Sequence, residues 1–148
     1  MISDNIKAIG TLRIDRFDEA IGQKVETLEV KNLVVQAGKV FIASRMVEAS
    51  APLMSHMAIG TGTTTPASTD NSLTTEVARV AMSTTPTSAD NVVTYIALFP
   101  AGVGTGALTE AGIFNDVASG SMLSHTTFAV VNKGANDSIS ITWSITIQ

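Results

Sequence analysis

The chain of 148 residues has no cysteine, one tryptophan and two histidines, His56 and His125, and charged residues make up only 15% of it. Without cysteine, disulfides, thiolate metal sites and cysteine nucleophiles are all excluded. Two imidazoles are too few for a histidine-rich zinc site. Bases are scarce beyond the first third. Residues 1–48 carry seven basic and seven acidic side chains, whereas from Ala49 onward Arg79 and Lys133 are the only bases against six acids. No cationic stripe is available for phosphate neutralisation, so nucleic acid is not an expected partner. Long apolar runs are missing too, since none approaches the roughly 20 residues that span a bilayer. The start, Met1-Ile-Ser-Asp-Asn-Ile-Lys7, lacks an apolar h-region. These absences predict a soluble protein with no export signal and no membrane partner.

What the chain does have is hydroxyls and aliphatics. Its 14 serines and 19 threonines outnumber its nine bases and 13 acids taken together, and 45% of its residues are hydrophobic. A chain of this size buries roughly 68–70% of its unfolded surface, enough for one core without metal or disulfide staples. Threonine favours strands, and a hydroxyl face keeps a sheet wetted with little charge repulsion toward a neighbouring subunit.

Periodicity supports the same class. Ile139, Ile141, Trp143, Ile145 and Ile147 alternate without exception with Ser138, Ser140, Thr142, Ser144 and Thr146. This predicts a half-buried strand whose apolar side faces the core. Met122 to Val131 and the glycine-containing Lys133-Gly-Ala-Asn-Asp137 precede it, which reads as a hairpin. Asn91 to Phe99 is apolar on both alternation sets, the pattern of a strand covered on both faces, and Pro100 and Gly102 end it. Ser55 to Ile59, Glu76 to Met82 and Gly112 to Phe114 are further short strands. The segments Thr61 to Ser72 and Thr84 to Asp90 are turn-rich. Ala37, Val40, Phe41, Ser44 and Val47 fall at helical spacing, so Gln36 to Glu48 is the one expected helix. Lys7 to Ile14 and Gln23 to Val30, joined by a turn over Asp15 to Gly22, read as a charged hairpin or extended arm. The expected fold is therefore all-β, mainly an antiparallel β-sandwich, with one short packing helix and an N-terminal arm or hairpin. Residues 1–31 form the arm, and residues 32–148 form the sandwich, with the helix near 36–48.

Candidate chemistry is thin. Gly102-Val-Gly104-Thr-Gly106-Ala107 fits a relaxed dinucleotide fingerprint, but Leu108-Thr-Glu-Ala-Gly112 leaves at most one helical turn after it, so a β-turn explains it better. Gly60-Thr-Gly62 lacks the lysine of a phosphate loop. Ser55-His56 and Ser124-His125 resemble nucleophile and base pairs, yet adjacent strand residues point to opposite faces, and no third carboxylate is indicated. Each histidine is expected at a sheet surface or subunit contact. Glu110 with Asp116, and Asp70 with Asp90, are scattered acids rather than a dense ligand run, and read as turn and cap residues instead of a carboxylate pair or a calcium site. Asn136-Asp-Ser138 fits a glycosylation sequon without an export context. No catalytic, cofactor-binding or metal residue is expected, and no cofactor.

Four segments carry a resemblance: Asn32-Leu-Val-Val-Gln-Ala-Gly-Lys-Val-Phe-Ile-Ala-Ser-Arg45, Ser55-His-Met-Ala-Ile-Gly-Thr-Gly-Thr-Thr-Thr-Pro-Ala67, Gly106-Ala-Leu-Thr-Glu-Ala-Gly-Ile-Phe-Asn115 and Val131-Asn-Lys-Gly-Ala135. Together, from about Leu28 to Gln148, they resemble small virion proteins of tailed bacteriophages, either capsid decoration (cement) proteins or tail-fibre and tail-associated modules. The resemblance implies a β-sandwich, often trimeric, with a structural role and no activity. The leading expectation is a non-enzymatic decoration protein, made in the host bacterial cytoplasm, that binds the outer surface of the assembled head and bridges major capsid protein subunits. The alternative is a tail-fibre, tail-associated or adaptor module that attaches to a host surface. Low aromatic content disfavours direct glycan recognition, because Trp143 lies on the apolar face of its strand. The N-terminal segment is expected to act as a docking arm. Ile6, Ile9, Leu12 and Ile14 would be its apolar anchors, with Lys7, Arg13 and Arg16 setting register.

Overall fold

The computed structural model describes residues 5–47 and 50–148. Nine strands and one helix follow in chain order: β1 (Ala8–Asp18), β2 (Gln23–Val34), α1 (Gln36–Ser44), β3 (His56–Gly60), β4 (Glu76–Ala81), β5 (Thr87–Ala89), β6 (Val92–Phe99), β7 (Gly106–Phe114), β8 (Met122–Lys133) and β9 (Asp137–Ile147). All pairings are antiparallel, and the strands run β4-β3-β7-β8-β2-β1-β9-β6-β5 in one curled sheet. The all-β class expected from alternation is the observed one.

Curling makes two layers from this sheet. β2 pairs with β1 along most of its length, then passes Leu33 and Val34 to β8 in the facing layer. On the opposite side the chain leaving β4 returns to the first layer, where Ser83 N donates to Ile96 O at 2.8 Å and Leu98 N donates to Ser83 Oγ at 2.6 Å. Between the layers lies a single large core. Leu12, Ile14, Tyr95, Phe99, Ile141 and Trp143 come from one side, and Met57, Ile59, Leu108, Ile113 and Leu123 from the other. The alternating segment at the C-terminus behaves as read: Ile139, Ile141, Trp143 and Ile145 are buried, while Ser140, Thr142, Ser144 and Thr146 are half-buried on the outer face.

Several sequence expectations are corrected. Of the two forms expected for the N-terminal segment, the described residues make the hairpin, β1 pairing with β2, and they do not stand apart from the sheet as an arm. β1 is a central strand, paired with β9 from Ala8↔Ile147 to Asp18↔Asp137 and with β2 on its other side. Leu12 and Ile14 are buried core residues, so neither is free to anchor a partner. The expected hairpin between β8 and β9 is an arch instead, because β8 pairs with β7 and β2 while β9 pairs with β1 and β6. The chain changes layer at this loop. Lys133 holds the crossing, its buried Nζ donating to Pro100 O at 2.9 Å and to Asp137 O at 2.6 Å. Burial lowers the pKa of this amine, opposed by the Asp137 charge. β6 is covered on one face only: Tyr95, Ala97 and Phe99 are buried, whereas Val92 and Ile96 are half-buried and Leu98 is exposed.

The helix exists but ends at Ser44 with a turn after it, and Glu48 lies outside the described residues. Its inner face differs from the expected one. Phe41 and Ile42 pack on the core, and Val40 is 59% exposed. Gly38 sets this orientation, because a Cβ there would sit 2.1 Å from Leu123 O on β8. The helix backbone thus lies directly on the strand and closes one end of the double layer, beside the start of β1 and the end of β9. No helix among the described residues is long and apolar enough to cross a membrane.

Candidate functional site

The outer face of the β3–β4–β7–β8 layer is covered by the long connection between β3 and β4. Leu73 from that loop packs with Val35, Ala58, Phe114 and Met122 in a second, smaller core. Beside it sits a buried polar cluster that no periodic signal announced. Glu110 and His125 are both almost fully buried, and His125 Nε2 lies 3.0 Å from Glu110 Oε2. Asp70, from the covering loop, reaches His125 Nδ1 at 2.7 Å.

Glu110 also accepts three backbone donors from the loop: Gly62 N at 2.9 Å, Thr75 N at 2.7 Å and Thr74 N at 3.0 Å. Each carboxylate oxygen therefore accepts two hydrogen bonds, filling the capacity of the group. Gly62 permits the approach, since a Cβ there would stand 2.4 Å from Glu110 Oε1. Both ring nitrogens of His125 face carboxylate oxygens. Asp70 feels burial first, which raises its pKa, but the Ala67 N–H and the His125 ring outweigh that and hold its carboxyl below the usual range. The cluster is a fastener. Both oxygens of Glu110 and both ring nitrogens of His125 are engaged by the loop or by each other.

This arrangement corrects two expectations. His125 is buried within the fold rather than placed at a sheet surface, and it has two carboxylates where the sequence indicated none. Ser124 is not its partner, for Ser124 Oγ is buried without a hydrogen bond. At the other pair, Ser55 Oγ and His56 Nδ1 do meet, at 2.8 Å. Strand alternation does not keep them apart because Ser55 precedes the first residue of β3. No acid is bonded to the far nitrogen of His56 among the described residues. Asp116 and Asp90 are exposed in turns, Asp90 with φ 52°, and neither joins Glu110 or Asp70. Among the described residues no group of three His, Asp or Glu side chains could hold a metal ion.

The open feature of the surface is at the helix end. Two grooves of about 470 Å³ each flank α1. One is walled by Phe41, Leu53, Pro86, Tyr95 and Ile145, with Arg45 at its rim. The other is walled by Ile6, Ile9, Met46 and Ile147, with Lys7 and Lys39. Ile42 and Ile147 line both, so the helix is the ridge between them. Around this ridge Ile6 is 81% exposed, Met46 87%, Val47 77% and Leu53 63%. Large exposed apolar patches are the features that mark interaction sites, which makes this end of the molecule the candidate surface. Burial raises the pKa of Tyr95, at the floor of the first groove.

The docking residues expected from sequence are thereby divided. Ile6, Lys7 and Ile9 lie at the helix-end surface. Leu12 and Ile14 are in the core. Arg13 is bonded to Asp15 on the outer sheet face, and Arg16 binds Glu26 and Asp137, each at 3.0 Å. The strand Ile139, Ile141, Trp143, Ile145 and Ile147 supplies core and, at Ile147, groove wall. No family model matches the chain, and no curated protein or solved structure matches it.

Proposed function

We propose that the chain is a non-enzymatic structural protein of a tailed-bacteriophage virion, a decoration protein that binds the assembled head and stabilises it by bridging major capsid protein subunits. The carrying observation is the exposed apolar surface around α1, presented on a double layer whose two faces are tied together by β2. Adhesion needs such a surface and a scaffold that does not yield. A stable contact buries about 1,200–2,000 Å² in total, and repetition over a shell multiplies modest contacts into strong resistance to rupture. Each contact gains less than its area suggests, because ordering and desolvation oppose it. The likeness of four segments to small virion proteins supports the same reading, as does the commitment of His125, Glu110 and Asp70 to fastening a loop. Self-association into a trimer belongs to this proposal, with the hydroxyl-rich outer face of β9 offering little charge repulsion.

The test is protein counting in purified particles, with and without tails. Copies in the hundreds that persist in tailless heads are the expected result. A few dozen copies that disappear with the tail would assign the chain to the tail instead, and absence from both would refute a virion role.

A further inference from the structure

Among the described residues, the charge around α1 runs against that of the whole molecule. The chain carries a net charge of −4. Four of its nine bases, Arg13, Arg16, Lys24 and Arg79, are paired with carboxylates, and Lys133 is buried against two backbone carbonyls. Among the described residues this leaves Lys7, Lys31, Lys39 and Arg45 without an acidic partner. Three of those four line the two grooves, and among the described residues no aspartate or glutamate lines either one. Arg45 also reaches Ala51 O at 3.4 Å and lies over the Phe41 ring, so among the described residues an acidic protein places three cations that have no acidic partner around its most exposed apolar surface.

We propose that this end of the double layer docks an acidic, apolar segment of a partner protein. The partner's aliphatic or aromatic side chains fill the grooves on either side of α1, and its carboxylates face Lys7, Lys39 and Arg45. The proposal deepens the virion reading by naming the chemistry of the surface that is bound, and rests on that reading for the partner's place in a particle.

Complementarity selects this occupant over three others. A second copy meeting the patch through the same patch would bring like charges together, which opposes two-fold self-pairing, and a copy presenting a different face is the outcome that a change of oligomeric state in the charge-reversed variant would reveal. A bilayer is entered by a projecting apolar face, whereas Phe41 and Ile42 of α1 turn inward and concave grooves lie on both sides of the ridge. Nucleic acid requires a denser row of cations than three separated by an apolar helix. A peptide with apolar anchors and flanking acids matches both the shape and the sign.

The experiment is selection from a displayed random-peptide library against the full-length protein and against the double variant Lys39→Glu/Arg45→Glu, both positions being exposed so that the fold is kept. Circular dichroism checks that it is. The wild type is expected to enrich peptides rich in Asp or Glu together with Leu, Ile or Phe. A synthesised winner should bind the double variant about tenfold more weakly or worse, and its affinity for the wild type should fall as salt screens the contact. A second variant, Lys7→Glu, should weaken binding in the same direction. Enrichment of neutral or basic peptides, no enrichment, binding to phosphatidylglycerol vesicles in place of peptides, or a change of oligomeric state in the double variant would each overturn the proposal. Particle counting separates the two claims. If the wild type and the charge-reversed variant attach equally to particles, this inference fails and the virion reading stands. If the protein is absent from particles while the peptide preference holds, the virion reading fails and the docking surface remains.

Discussion

His125 and Glu110 face each other across neighbouring strands, with Nε2 3.0 Å from Oε2, and every other hydrogen bond on that carboxylate comes from one loop. The pair joins the sheet to its cover. Glu110→Gln places an amide NH2 against backbone N–H donors and should cost about 3 kcal/mol. Urea unfolding measures the loss. Hydrogen exchange should show the amides of Gly62, Thr74 and Thr75 losing protection ahead of the core strands, and unchanged protection there would refute the fastening role.

Acid should loosen the fold at two named points. Asp137 accepts from Gly134 N at 2.7 Å and Arg16 Nη1 at 3.0 Å, and these hold its carboxyl below the ordinary range, with the Gly134 bond the larger cause. Asp70 is likewise held low, by Ala67 N and His125 against the opposing effect of burial. A carboxylate with a depressed folded pKa contributes stability that is fully present above its unfolded value and is lost as pH falls through the folded one. Melting temperature should therefore drop on acidification below the usual carboxylate range. Asp137→Asn and Asp70→Asn should each lower stability at neutral pH and flatten that drop. An unchanged slope in both variants would remove these residues from the account.

Lys133 should not tolerate an isosteric apolar replacement. Lys133→Met keeps the stem but leaves Pro100 O and Asp137 O without their buried donor, at a cost of about 1–3 kcal/mol. Thermal denaturation reads it directly, and a neutral result would mean that water replaces the amine at the arch.

Leu12 and Ile6 separate the strand from the arm. Leu12→Ala opens the main core and should cost about 2–5 kcal/mol, while Ile6→Ala, at a position 81% exposed, should leave stability unchanged. Deleting residues 2–22 should unfold the protein, since β1 holds the middle of one layer. A folded deletion product, judged by its amide spectrum, would restore the arm.

Gly38→Ala inverts a usual rule. Alanine is favoured over glycine in a helix by about 1 kcal/mol, yet here its methyl would meet Leu123 O at 2.1 Å. Lower stability is expected, with α1 displaced from β8. A stabilised variant would show that the helix has room to lift.

Local signals were the legible ones. The Ile/Ser/Thr alternation of β9 and the helix beginning at Gln36 could be read because neighbours in sequence decide them, whereas the turn expected over Asp15 to Gly22 is shorter, since β1 continues to Asp18 before the chain turns into β2. Partner choice could not. The lysine and glycine between β8 and β9 look like a hairpin loop whether the chain folds back on itself or crosses to the other layer, and only the packing of Trp143 and Leu123 on opposite sides of one core decides. The charged look of β1 hid its place in the middle, because Arg13 and Asp15 spend their charges on each other at the outer face while Leu12 and Ile14 point inward. The His125 cluster was out of reach for a related reason. Asp70, Glu110 and His125 are far apart in the chain, and nothing in an isolated carboxylate records which loop it will hold.

Where the terminal strands meet, Lys7 and Gln148 exchange two backbone hydrogen bonds, of 2.6 and 2.8 Å. A pull applied between these two residues would part β1 from β9 one bond at a time, as a zipper opens, at low force. Force sliding β1 along β9 would instead load all the rungs of that ladder at once, so the pairing is weak when peeled from its ends and strong when sheared along its length.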